Sequence, residues 1–233
     1  MNTITLIIGT AVIAFIAYNY FKKKNASYAE SNDDSKLSQK QKGLLAFGAI
    51  LFYYRDDKIL GFDPPANLED YKNSLNYQWE ITNGTEAKAT IEDLLTLKKS
   101  KEFHPLIQIE SEELSSIQKR IAEELEIDIH TVKQTNSSYA WDLCRSIALA
   151  KWCYWVGYFS EEECWEYMEK AVQIARELGT GWTNYTVSFL LGRTIQGFDL
   201  DDISVNALQI LTGKQPLLRK VKDLDVLQRF PFN

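Results

Sequence analysis

Histidine is scarce in this chain. There are two, His104 and His130, in separate segments, so a multi-histidine metal site is excluded. Cysteine is scarce as well. Cys144, Cys153 and Cys164 are odd in number and form no CxxC pair, which rules out a disulfide framework. All three fall in apolar helical stretches, where a free thiol behaves as a small hydrophobe, and a reducing compartment follows. There is no phosphate-cradling GxxxxGK[ST] loop, no GxSxG elbow and no HExxH. No cofactor or metal is therefore expected. Asp199-Leu200-Asp201-Asp202 could suggest magnesium, but acidic residues ahead of a helix usually serve as caps and dipole partners. Positive charge is in deficit. The net charge is −6, and the absence of a basic patch argues against nucleic acid while suiting a basic protein partner.

What the chain does have is hydrophobic length. Thr3–Phe21 is an almost unbroken apolar run that would span roughly 28 Å as a helix, close to a bilayer's hydrocarbon thickness. Tyr18, Tyr20 and Phe21 close it, and Lys22–Lys24 follow at once. Lysines after the run, with none before it, predict a single-pass anchor whose following domain is cytoplasmic. A cleaved signal peptide would carry its basic residues in front. The expected organisation is an anchor over 1–24, a polar tether over 25–36 and a helical globular domain over 37–233.

Within that domain the periodicity is helical throughout, and the expected class is all-α with an N-terminal transmembrane helix. Helices are predicted over Leu37–Tyr54, Leu68–Leu75, Glu86–Leu97 (with Lys98 and Lys99 at its C-terminal end), after Ser111 to Leu125, Ala140–Val156, and Trp182–Gln196. Ser160 with Glu163 is a capping-box signature for a further helix that stops at Gly179. Asp201 or Asp202 is expected to cap a last helix ending near Leu211. Arg120–Gln134 has the cadence of a helix-turn-helix, but Glu126 holds the turn position that favours glycine, and the segment is acidic. The tail from Gly213 onward carries Lys214, Arg219, Lys220 and Lys222 among Leu217, Leu218 and Val221. It could pack on the body or touch a membrane surface.

Ala140–Val156 is apolar on nearly every side, as a central helix would be. Asp142 and Arg145 interrupt it three residues apart, so they share a face and can pair. Trp141, Trp155, Trp165 and Trp182 could line a pocket, although aromatics at helical spacing are more often core. The candidate binding residues are Trp141, Asp142, Arg145, Trp182 and Arg193. No catalytic residue is assigned.

Trp79-Glu80-Ile81, the helix from Ala87 to Leu97, Trp141-Asp142 with Arg145, the run Gly157 to Glu163, Trp165, Gly181-Trp182, Tyr185 and Leu191-Gly192-Arg193 together resemble the bacterial domain-of-unknown-function family numbered 1266, over about residues 45–197. Cys164, and Gly181 before Trp182, depart from its usual pattern. The resemblance implies a bacterial, mainly helical module and supplies no activity. The expected function is a protein-binding module on the bacterial inner membrane, in its sharpest form an immunity protein that binds and neutralises a partner toxin. The alternatives are an enzyme built on an Asp/Arg/Trp pocket and, third, a DNA-binding regulator.

Overall fold

The computed structural model describes residues 36–233, and within them the chain is all-helical, with no strand. The helices are α1 (Gln39–Ala46), α2 (Ala49–Tyr54), α3 (Leu68–Trp79), α4 (Gly84–Leu95), α5 (Lys98–Gln108), α6 (Glu112–Glu124), α7 (Ile129–Lys133), α8 (Tyr139–Trp155), α9 (Glu161–Leu178), α10 (Trp182–Ile195), α11 (Asp201–Thr212) and α12 (Val226–Arg229). No helix among the described residues is long and apolar enough to cross a membrane. The anchor expected at Thr3–Phe21, and the tether as far as residue 35, lie outside them.

α8 is the central element. Every residue from Tyr139 to Trp155 is buried except Tyr154, and α2, α4, α5, α9 and α10 all pack on it. Its neighbour α9 opens with a full capping box: Ser160 Oγ accepts from the Glu163 N–H, and Glu163 Oε2 accepts from the Ser160 N–H. α9 stops at Gly179, which has an ordinary backbone conformation. A glycine is needed there for space, because a Cβ would lie 2.1 Å from the Tyr139 hydroxyl and 2.6 Å from the Phe232 ring.

Three expectations are corrected by the structure. The single helix predicted over Leu37–Tyr54 is two helices, broken at Phe47-Gly48. A Cβ on Gly48 would sit 2.9 Å from Ile147 of α8, and the Phe47 carbonyl released by the break accepts from the buried Tyr185 hydroxyl at 2.7 Å. Lys98 and Lys99 do not end the fourth helix. They begin α5, which contains Pro105. At a helix N-terminus lysines face the positive end of the dipole, and their pairs with Asp93 (2.9 Å) and Glu102 (2.7 Å) offset this. α11 is capped by neither aspartate: Leu200 holds the cap position, while Asp201 and Asp202 lie in the first turn, where carboxylates still suit the dipole. α7 is only five residues long, and Glu126 ahead of it takes the left-handed conformation (φ 53°) that the turn imposes.

The end of the tail packs on the body. Val221, Leu224, Val226, Leu227 and Phe232 are buried. Arg176 Nε donates to the Phe232 carbonyl at 2.7 Å, and Trp182 Nε1 to the Phe230 carbonyl at 2.9 Å.

Candidate functional site

The face of α8 that carries Trp141, Arg145 and Trp152 looks into a cavity of about 840 Å³. These positions are four and seven residues apart, so they form one stripe of the helix. The end of α2 supplies Tyr54 and Arg55, α3 supplies Trp79, the start of α5 supplies Lys98 and Lys99, and α10 with its following turn supplies Arg193 and Phe198.

Asp142 and Arg145 form an ion pair at 2.6 Å, with side chains 0% and 8% exposed. Asp142 also holds the neighbouring helix. Its Oδ2 accepts from the Ser100 N–H at 2.8 Å, in the first turn of α5, whose cap residue Leu97 offers no side-chain acceptor. The carboxylate thus does from α8 what a local cap residue would do for α5. Burial raises the Asp142 carboxyl above its ordinary value, opposed by Arg145 and by the Ser100 N–H. Burial likewise lowers the Arg145 guanidinium, opposed by Asp142. Each partner draws the other back toward its charged form.

Three guanidiniums share the cavity, and each lies against aromatic faces. Arg145 is 4.2 Å from the Trp141 ring centre and 5.5 Å from that of Trp79. Arg55 is 5.2 Å from Trp152. Arg193 is 5.1 Å from Tyr54 and 5.3 Å from Phe198. Such stacking holds the planar group in place without using its N–H donors. Protein acceptors take only part of the donor set: Arg145 gives Nε to the Trp141 carbonyl and Nη2 to Asp142, Arg55 gives Nη2 to Ser74, and Arg193 gives Nε to the Asp199 carbonyl. Among the described residues no acceptor takes the remaining N–H groups. The two lining carboxylates, Asp93 and Asp142, are both engaged by cations.

Behind this wall lies a second polar group. Trp152 Nε1 donates to Asp57 Oδ2 at 2.8 Å, and the Tyr71 hydroxyl donates to Asp57 Oδ1. Lys151, fully buried, donates to the Lys58 carbonyl at 2.9 Å and faces the Phe52 ring at 3.8 Å. Burial, the largest influence, lowers its ammonium to about 8, opposed by Asp57. Asp57 is raised by burial and drawn back by Lys151 and by its hydrogen bonds to Tyr71 and Trp152.

Of the residues named from sequence, Trp141, Asp142, Arg145 and Arg193 line the cavity, and Trp182 does not. Trp182 packs against Phe47, Tyr185 and Phe232, where the tail docks. Trp155 and Trp165 are also buried away from the lining. Sequence reasoning missed Arg55, Trp152, Lys98 and Lys99 as lining residues. Only Trp152 left a signal there, since it shares the Trp141/Arg145 stripe. Among the described residues no group of histidine, cysteine and acidic side chains could hold a metal.

No curated protein and no solved structure matches this chain. A family model does, over residues 74–215. It contains α4 to α11 whole, with the Trp79, Asp142–Arg145 and Arg193 walls of the cavity, and omits the Tyr54–Arg55 wall. The match spans more than half of the sequence, and the chain belongs to the family described as Protein of unknown function (DUF1266).

Proposed function

We propose that this chain is a binding module that takes up an anionic group of a partner protein in the α8 cavity. The observation that carries the reading is the set of three aromatic-backed guanidiniums, Arg55, Arg145 and Arg193, facing one space with uncommitted donors. A chain of net charge −6 gathers five cations here, with Lys98 and Lys99, against two carboxylates already engaged. Guanidinium forks match a carboxylate in geometry, and the rings offer flat apolar surface to whatever carries it. With both lining carboxylates tied up in ion pairs, the cavity is furnished for recognition more than for proton transfer. In its fuller form the reading is an immunity protein held on the bacterial inner membrane by Thr3–Phe21, with this domain in the cytoplasm, where it neutralises a toxin delivered by a neighbouring cell. The apolar run followed by Lys22–Lys24 supports that location.

The test is calorimetric titration of the full chain with hexaglutamate and with hexalysine. Saturable, salt-sensitive binding of hexaglutamate is expected, with affinity falling about tenfold or more in the Arg55→Ala/Arg193→Ala variant. Preference for hexalysine, or unchanged affinity in the variant, would overturn the cavity reading. The toxin form is tested separately. Cells lacking the chain should die beside toxin-bearing neighbours, and their survival sinks that form alone.

A further inference from the structure

Directly after α11 the surface changes character. Gly213–Lys222 reads GKQPLLRKVK, with four cations and no carboxylate, in a chain of net charge −6. Leu217 and Leu218 are 102% and 79% exposed, the two most exposed leucines among the described residues. A slack loop could fold such a pair back onto the body. This one is fastened at its base. Gln215 Nε2 donates to the Val221 carbonyl at 2.9 Å, and its Oε1 accepts from the Val221 N–H at 2.8 Å. That reciprocal pair closes the chain across the tip, and Val221 is itself buried. Arg219 is tied to Asp56 at 3.0 Å and lies 5.5 Å from the Tyr53 ring centre. Pro216 restricts the backbone immediately before the leucines. The leucines therefore stand outward on a clamped loop, with the exposed Lys214 and Lys220 on either side. The nearest carboxylates that follow, Asp223 and Asp225, are both engaged by Arg229, at 2.6 and 3.2 Å.

We propose that this tip docks on an anionic lipid surface. Leu217 and Leu218 would enter the boundary between headgroups and acyl chains, and Lys214 and Lys220 would lie among the headgroup phosphates. An apolar point flanked by cations is the pattern that binds such interfaces, because burial and electrostatic attraction act at the same depth. Charge complementarity selects this occupant over a second copy of the chain, which would bring the same lysines face to face. The anchor expected at Thr3–Phe21 would hold the domain beside a bilayer, but the tip's geometry stands without it.

The experiment places an environment-sensitive fluorophore on Leu218→Cys of the full chain. Cys144, Cys153 and Cys164 are buried and stay unlabelled. The reference is Tyr77→Cys, at a residue 90% exposed on α3. With vesicles of phosphatidylglycerol and phosphatidylcholine, the label at 218 should shift to the blue and lose iodide quenching severalfold, while the label at 77 stays accessible. Lys214→Glu/Lys220→Glu should restore quenching at 218. Equal quenching at both positions on anionic vesicles would overturn the proposal, as would equal shielding at 218 on phosphatidylcholine alone. Shielding at 218 that grows with protein concentration in the absence of vesicles would assign the tip to a second copy and overturn it too. Neither labelled site is in the core, so unchanged helical circular dichroism confirms that the variants are folded.

Discussion

Replacing Asp142 with alanine should cost more stability than any other single charge removal at the cavity. The carboxylate has two partners, Arg145 Nη2 at 2.6 Å and the Ser100 N–H at 2.8 Å. Its loss leaves a guanidinium that is 7% exposed without its counter-ion. Breaking a buried pair from one side typically costs about 3–5 kcal/mol, and a stranded buried N–H about 1–3. Arg145 keeps its bond to the Trp141 carbonyl and its indole faces, which places the expectation at about 3–4 kcal/mol. For a chain of this length that is a fall of roughly 6–16 °C in Tm. Removing both charges with Asp142→Leu/Arg145→Met leaves only the Ser100 N–H unpaired and should cost about 1–2 kcal/mol. Urea unfolding followed by tryptophan fluorescence supplies the free energies of the parent and of the two variants. Hydrogen exchange adds a local readout: in Asp142→Ala the Ser100 amide should exchange faster while the α9 amides are protected in proportion to global stability. If the single variant loses less than about 1 kcal/mol, or the double variant is at least as unstable as the single one, the pair is not the strut described here.

Further predictions concern the rest of the core. Lys151 is lowered from 10.5 to about 8 by burial, so between those values the folded chain binds fewer protons than the unfolded one. Its contribution to stability should therefore rise with pH from about 8 to 10.5, by about 3 kcal/mol in all. Urea midpoints across that window should show this slope in the parent and lack it in Lys151→Met. Gly192→Ala places a Cβ 2.4 Å from Trp141 Cβ and 3.0 Å from Ser138 Cβ. It should cost about 1–3 kcal/mol through overpacking and shift the emission of Trp141, visible in difference spectra. The Cys144 and Cys153 thiols are pushed up to about 12 by burial, and Cys164 is raised as well. All three should resist maleimide in the native chain and react together on unfolding, as mass spectrometry would show.

Where local chemistry decides, the structure was legible in advance. Ser111 and Ser160 cap the helices their sequence implied, and the nearly uniform apolarity of α8 announced its central place. The failures share a cause, which is that distant residues settled them. α5 follows a cap residue, Leu97, in a left-handed conformation (φ 59°), contains a proline and lacks a side-chain cap. All three features count against a helix in sequence, and the acceptor that compensates is Asp142, 42 residues away. The break at Gly48 is likewise explained by Ile147 and Tyr185, on two other helices. Asp142, Arg145 and Arg193 were visible as polar residues in apolar helices. Arg55 had no such signature, because it follows an exposed tyrosine at a helix end and meets Trp152 only through the tertiary fold.

The same fold accounts for how five cations can line one space in an acidic chain. Like charges held together in a partly enclosed site repel, and each needs compensation that leaves its donors free. Carboxylates would consume the donors, and among the described residues Arg145, Lys98 and Lys99 form such ion pairs. Arg55 and Arg193 are placed differently. Arg55 is the C-terminal cap residue of α2, and Arg193 lies in the last turn of α10. Both stand where unsatisfied carbonyls give the helix its negative end. Each also rests on an aromatic face, whose quadrupole is negative toward the cation. Helix ends and rings thus stabilise these two guanidiniums without occupying their outer N–H groups. This arrangement separates the roles within the cavity. Asp142 and Arg145 hold α5 on α8 and set the wall in place, while Arg55 and Arg193 keep the open donors that an anionic group would meet. Removing the first pair should loosen the fold as well as weaken recognition, and removing the second should weaken recognition about tenfold or more in a chain that still folds.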